Sequence, residues 1–339
     1  MNRLPRAAVL LVLLTASAAA APPTPIIARE FIYTRAAFAQ SHAATLAETP
    51  AGLVAAWFGG TREGRADVGI WLARRTARGW SQAVEVADGR QANGTREPCW
   101  NPVLFQPKTG PLTLFYKVGP DPSHWRGMRK ISVDGGQSWS DAERLADGII
   151  GPAKDKPIEL ADGTILSPSS TESDGWKLFI EHSTDQGRHW QRIGPLADST
   201  EFSAIQPTLL AWSSGKLQLL ARSQQGRIVE SWSTDAGLHW SPLTETALPN
   251  PNSGIDAVML RDGRALLVYN PTHLRRSPLV VAISDDGEHW GDVLTLEEGW
   301  GEYSYPAVIQ TADGLVHVAY TWKRQRIRYV VIDPARLGR

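Results

Sequence analysis

Short runs of Val, Ile, Leu, Phe and Tyr alternate with polar residues along most of the chain, and no long stretch carries a helical period. A two-residue period places apolar side chains on one face of an extended strand, so the pattern predicts β-structure throughout. Turn glycines at Gly52, Gly110, Gly163, Gly215, Gly263 and Gly314 punctuate it at spacings of 48 to 58 residues, each ahead of an apolar run. Several stand in Asp-Gly pairs, as in Ala161-Asp-Gly163, Arg261-Asp-Gly263 and Ala312-Asp-Gly314. Tight hairpins need positive φ, which glycine adopts without a Cβ clash, so each marks a hairpin. Six hairpins predict six sheets.

A second register has the same period. Ser132-Val-Asp-Gly-Gly-Gln-Ser-Trp139 recurs as Ser183-Thr-Asp-Gln-Gly-Arg-His-Trp190 and as Ser233-Thr-Asp-Ala-Gly-Leu-His-Trp240, with the tryptophans 51 and 50 residues apart. Ser284-Asp-Asp-Gly-Glu-His-Trp290 is one residue short, and Arg74-Arg-Thr-Ala-Arg-Gly-Trp80 has lost the aspartate. Repeats of this length signal radial or stacked architectures, and the expected fold is an all-β six-bladed propeller. The Ser-x-Asp-x-Gly-x-x-Trp unit suits the turn between a blade's two outer strands. Its Asp accepts backbone N–H bonds, its Gly takes positive φ and its Trp packs between sheets. Asp134, Asp185 and Asp235 are therefore expected on the outer rim. The last segment, Tyr303 to Asp333, has no box after it, which predicts that an N-terminal strand near Ile26 to Tyr33 completes the sixth blade.

Composition narrows the function classes. The 339 residues carry 35 basic and 35 acidic side chains, which argues against nucleic acid or an anionic membrane as partner, though not against a small anion in a locally basic pocket. Arg3 and Arg6, the apolar run Ala7 to Leu14 and the small residues Ala18 to Ala21 read as a cleavable secretory signal over residues 1–21. A single propeller domain over 22–339, secreted or periplasmic and monomeric, is the expectation. The lone Cys99 cannot form an intramolecular disulfide and reads as a buried thiol. No His, Asp or Glu group has metal-ligand spacing and no phosphate loop is present, so neither metal nor cofactor is expected.

Given this repeat, the chain resembles the sialidase (neuraminidase) superfamily of Asp-box propellers. That resemblance implies three arginines for a substrate carboxylate, an aspartate as acid/base, and a tyrosine nucleophile paired with a glutamate. Arg62 and Asp67, after Leu53-Val-Ala-Ala-Trp-Phe-Gly-Gly-Thr61, match the arginine and acid of the first blade, with a loop ion pair as the alternative. Arg222 matches the second triad arginine, Arg275 or Arg276 the third, and Tyr303 in Gly301-Glu-Tyr-Ser304 the nucleophile. A guanidinium fork donates two parallel hydrogen bonds to a carboxylate, and a neutral phenol meets an anionic sugar with less repulsion than a carboxylate would.

Two positions depart from the family. His42 or Ser41 stands where the first triad arginine opens its motif, and Gln206 occupies the place of the glutamate. Glutamine cannot take a proton, so the tyrosine needs another base, with Glu302 and Glu172 as candidates. Further polar segments lie near inner blade edges, and among their residues Arg96, Glu97 and Lys156 are expected to bind sugar, the alternative being that they fill the axial channel. The leading expectation is an exo-glycosidase of sialidase type acting on a glycan with a terminal acidic sugar. A uronic-acid lyase using His42 and Tyr303, or a non-catalytic glycan-binding propeller, are the alternatives.

Overall fold

The computed structural model describes residues 24–197 and 200–338; the expected signal segment lies outside them. Six antiparallel sheets follow one another along the chain. Their innermost strands are Gln40–Thr49, Cys99–Phe105, Ile158–Glu159, Ala204–Ala211, Asp256–Met259 and Tyr303–Gln310. Five blades have four strands, and blade one has its outer edge split between Gly79–Trp80 and Val84–Ala87. Blade six is sealed by the N-terminal strand: Ile26–Phe31 pairs antiparallel with Arg326–Ile332. This is the expected six-bladed propeller.

All six predicted hairpin glycines have positive φ, from 84° at Gly215 to 119° at Gly110. Each joins an innermost strand to the second strand of its blade. The box turns join third and fourth strands. Since strands alternate in direction, these two sets of turns share one face of the ring. In that face each box seats on the preceding blade. A Cβ at Gly135 would lie 2.6 Å from Ala51 Cβ of blade one, and the Gly187 carbonyl accepts from Arg129 of blade two at 3.1 Å. Within the boxes, Asp134 accepts from the Gln137 and Ser138 amides at 2.9 Å, and Asp185 accepts from His189 N–H at 2.9 Å. Hydrogen bonds from Ser138 and His189 respectively hold these two carboxyls well below the usual range. The box aspartates thus organise turns on the rim.

Apolar cores fill the wedges between blades, as where Leu166, Leu178 and Ile180 of blade three meet Leu209, Leu219 and Val229 of blade four. The axis itself is polar and cross-linked. Asp256 of blade five accepts from Lys156 Nζ of blade three at 2.9 Å, from Thr208 Oγ1 of blade four at 3.0 Å and from Val308 N–H of blade six at 2.8 Å. Lys154, buried beside it, donates to Asp155 and Ile255 O at 2.6 Å and to Pro306 O.

The turn glycines give a stability prediction. Gly263 and Gly287 both have positive φ, but a Cβ at Gly263 meets open space, whereas one at Gly287 would lie 2.7 Å from Trp212 and Trp232. Gly263→Ala should cost about 1–2 kcal/mol for the left-handed backbone alone. Gly287→Ala adds about 1–3 kcal/mol of overpacking between blades four and five. Denaturant midpoints of the two variants should therefore separate clearly, with Gly287→Ala the lower.

Candidate functional site

The opposite face carries the entries to the inner strands and the loops between second and third strands. Four inner strands bulge where they leave this mouth: the ladder slips at His42/Thr45, Trp100/Val103, Ile205/Thr208 and Ser304/Ala307. Ala43, Asn101, Gln206 and Tyr305 occupy left-handed backbone there, with φ of 53°, 35°, 55° and 52°. Three of them precede proline, at Pro102, Pro207 and Pro306, a residue with no N–H for the ladder to lose. A bulge re-aims the side chain that it carries. Here it turns Gln206 and Tyr305 into the mouth.

Tyr305 is the centre of a cluster drawn from five blades. Its hydroxyl receives Arg222 Nη1 at 2.5 Å, and the same nitrogen reaches Gln206 Oε1 at 3.1 Å. Arg222 also donates to Asn252 Oδ1 at 2.8 Å and lies 5.4 Å from the Trp176 ring. The Arg276 guanidinium sits 5.4 Å from the Tyr305 ring and bonds Glu302 at 3.0 Å. Arg324 donates to the same Glu302 oxygen at 2.8 Å and to Glu63. His42 packs on Tyr305 with ring centroids 4.1 Å apart and holds Thr321 Oγ1 at 2.8 Å through Nδ1. Burial first, then the charges of Arg324, Arg276, Arg222 and Lys154, push this imidazole well below its ordinary pKa. His42 is neutral.

Two carboxyls in the mouth are driven apart. Burial raises Glu172, against the opposing pull of Arg222 and a Trp176 hydrogen bond, and Glu63 adds to the rise. Burial acts the same way on Glu302, but Arg324 and Arg276 outweigh it and hold Glu302 below its ordinary value. One site therefore presents a carboxyl that keeps its proton more readily and another fixed as a carboxylate between two guanidinium groups.

Several sequence expectations map elsewhere. Tyr303 is buried in the apolar wedge between blades five and six, 6.4 Å from Trp322 by ring centroid, and its hydroxyl faces Trp300 O at 3.4 Å. The bulge explains the difference: Tyr303 lies before it and packs sideways, and Tyr305 lies on it. Of Arg275 and Arg276, the latter joins the cluster, while Arg275 is exposed against Trp300. Arg62 and Asp67 are exposed on the blade-one loop, where the Asp67 carboxylate accepts from Thr61 N–H at 2.8 Å and from the Thr61 hydroxyl. Slight burial raises Asp67, yet these Thr61 bonds bring it below the usual value, so it is ionised near neutrality. That loop contributes Glu63 to the cluster instead. Arg96 bonds Glu85 at 3.0 Å, Glu97 pairs with Arg126 at 2.7 Å, and Lys156 is spent on Asp256, so these three serve blade junctions and the axis.

Arg324, Tyr305, Glu63, Asn252 and Trp176 carry no mark in the box register. Arg324 sits in the three-residue hairpin turn Lys323-Arg324-Gln325, where Lys323 and Arg324 have φ values of 53° and 59° without a glycine. Non-glycine residues held there cost of order 1–3 kcal/mol each and concentrate at functional sites. The repeated x-Pro step at the head of the inner strands was the available signal for Tyr305.

These features define a six-bladed Asp-box propeller with a charged axial mouth. The chain belongs to the BNR repeat-like domain family, whose profile matches residues 51–318. Among solved structures, a protein of unknown function from Dyadobacter fermentans superposes with a TM-score of 0.74 at 16% identity, covering 90% of this chain and 98% of that one. A Hadza microbial sialidase gives 0.74 at 18% identity over 88% of this chain and 66% of its own. A Trypanosoma rangeli sialidase gives 0.69 at 15% identity, covering 87% and 55%. No curated protein matches the chain.

The clamp predicts a pH dependence. A carboxyl lowered by folding contributes stability that is complete above its unfolded pKa, about 4.3 for glutamate, and is lost as pH falls through the folded value. The stability difference between the wild type and Glu302→Gln should thus stay level above that range and narrow below it, as followed by denaturant titration at a series of pH values.

Proposed function

We propose that this protein is an exo-glycosidase of sialidase type, exported to the periplasm or the medium, that releases a terminal acidic sugar from glycans. One observation carries the reading: Arg222, Arg276 and Arg324, from blades four, five and six, gather around the single phenol of Tyr305. Such an array suits a sugar carboxylate beside a nucleophile that carries no charge until it reacts. In this reading Arg324 takes the part of the arginine missing from the first inner strand, where the neutral His42 stands.

Tyr305 Oη bonds the anomeric carbon as the bond to the leaving-group oxygen breaks, and its proton passes to water in the mouth. Glu172 supplies the proton to that leaving oxygen. The resulting Glu172 carboxylate then takes a proton from the water that cleaves the tyrosyl–sugar bond, which restores Glu172, while the departing Tyr305 phenolate recovers its proton from water in the mouth. Asp67, already ionised and turned to Thr61, is poorly placed for the acid role.

A lyase acting on a uronic-acid glycan is favoured by one specific contact. His42, neutral, packs against Tyr305 with the two rings tilted by 46°, and Arg222 rather than a carboxylate bonds the phenol. There the arginines would neutralise the uronate while the tyrosine–histidine pair takes the proton beside it, the electron pair of that C–H bond forms the new C=C bond, and the leaving oxygen departs with a proton from water. Ultraviolet absorbance of an unsaturated product separates the two reactions. Binding of acidic sugars without turnover in either assay points to a glycan-binding propeller.

With a fluorogenic sialoside, Glu172→Gln should lower kcat by about 10²–10⁴-fold, the usual scale for a general acid. Tyr305→Phe should lose at least as much, and Tyr303→Phe should keep most of the activity. Full activity in Tyr305→Phe removes the phenol from the mechanism. Gln206→Glu puts a carboxylate where Arg222 already bonds the amide, so activity that rises and becomes pH-dependent supports a tyrosine lacking its base.

A further inference from the structure

On the outer wall between blades one and two, a crevice of about 330 Å³ opens beside the blade whose box has lost its aspartate and whose outer edge is split. One side of it is the third strand of blade two, Arg126–Ser132, on which Arg126, Met128 and Lys130 alternate and so share a face. A second side is the start of the connection between the two blades, residues 88–91. Gly89 turns this connection at φ 68°, where a Cβ would overlap the Glu97 carbonyl, and Gln91 N–H bonds Thr95 O at 2.8 Å. Arg126 ties the two sides together through Gln91 Oε1 and through Glu97 at 2.7 Å. Tyr116, paired with Met128 across the ladder, also lines the crevice. It is 2% exposed, and among the described residues its hydroxyl meets no hydrogen-bond partner. Phenylalanine would fill the same wedge without burying a hydroxyl, a group that is costly to leave unpaired. Burial first, then Cys99 and Asp88, push this phenol above its ordinary pKa, so it remains a donor.

We propose that this crevice is a second ligand site, for a small hydroxylated carboxylate of the sugar-acid class. Its volume lies at the lower end of the range for small-molecule sites, roughly 300–1,000 Å³, which suits one sugar ring rather than a chain. Four cations line it, Arg90, Arg126, Lys130 and Arg144, against two carboxylates, Glu85 and Asp88. The three arginines already hold Asp88, Glu97 and Asp147. Lys130 donates to Val86 O at 2.9 Å, and among the described residues no ion pair engages it. Its ammonium is therefore the group that an incoming carboxylate meets. Glu85 and Asp88 repel a dense anion such as phosphate but accept hydroxyl protons, so the rest of the ligand carries hydroxyls. The Tyr116 hydroxyl gains its missing partner from such a ligand, and Met128 and Val118 offer apolar surface to a ring's C–H face. The crevice shares no residue with the axial cluster, and its chemistry stands whether or not that cluster cleaves a glycoside.

The probe is D-glucuronate, with D-glucose and inorganic phosphate as controls, and the reporter is a side chain of the crevice itself. Of the three methionines, Met1 lies in the expected signal segment, Met128 lines the crevice and Met259 belongs to the innermost strand of blade five. In protein carrying methyl-labelled methionine, with Met128→Leu to assign the signals, glucuronate should shift the Met128 methyl resonance saturably and glucose should not. Binding at the axial mouth leaves that resonance unmoved, so the two sites are told apart. Lys130→Gln should raise the titration midpoint by at least about tenfold, the scale of a bond to a charged group, with recovery in Lys130→Arg. Tyr116→Phe should raise it by about two- to tenfold, the scale of a neutral hydrogen bond, and should melt no lower than the wild type without ligand, because its hydroxyl has no partner to lose. A Met128 resonance indifferent to glucuronate overturns the site, as does one that glucose moves at the same concentrations. Midpoints unchanged in both Lys130→Gln and Tyr116→Phe also overturn it. Tighter binding of phosphate than of glucuronate overturns the ligand class, and a Tyr116→Phe protein that melts lower without ligand makes the hydroxyl a structural group and overturns its part in binding.

Discussion

One carboxylate joins four blades. Asp256 binds Lys156, Thr208 and Val308 as well as the amide of its own neighbour Ala257 at 2.9 Å, so blades three, four, five and six meet on a single side chain. A bare carboxylate buried at the axis would cost several kcal/mol, and the ammonium with its surrounding donors offsets that cost. Apolar contact alone holds adjacent blades but is indifferent to small rotations about the axis. Directional bonds are not. They fix the heads of the inner strands relative to one another, and the mouth residues stand on those heads.

Above this layer, the mouth concentrates positive charge without leaving it uncompensated. Arg276 and Arg324 share Glu302, Arg324 also holds Glu63, and Arg222 is satisfied by amide and phenol oxygens. In the proposed reading, a carboxylate that reaches these arginines would exchange partners rather than fill an empty shell. Arg222 contributes most directly, because its fixed neighbours Gln206, Asn252 and Tyr305 are uncharged and give no competing ion pair. Burial first, and then the field of all three arginines, keeps His42 neutral, which makes an imidazole a tolerable neighbour for a cationic clamp.

The blade count was legible because its signals are local: a turn glycine or an Asp-box declares itself within eight residues. Placing side chains in the mouth requires register, which local signals do not carry. One extra residue in an inner strand moves every later side chain to the other face. This is why Tyr303, expected in the mouth, packs in the wedge between blades five and six, and Tyr305, two residues on, stands in the mouth. Gln206 and Arg222 were legible because they face one another across a single hairpin, with Ile205 paired to Arg222. Arg324 was not, since its turn carries neither glycine nor asparagine. Glu63 was passed over for Asp67, although both occupy one loop, because only the fold shows which of them reaches Arg324.

The sealing of blade six has a consequence for the timing of assembly. The strand Ile26–Phe31 is synthesised long before its partner Arg326–Ile332. Until both are available the ring is an open arc, with the inner strand of blade one facing no neighbour across the gap. Tyr305, Glu302 and Arg324 all belong to the final blade, and the Arg324 carbonyl takes the Ser41 amide of blade one at 2.8 Å. A nascent or truncated chain can therefore hold several finished blades and still lack a binding site. The axial cluster is completed only by the closing stitch.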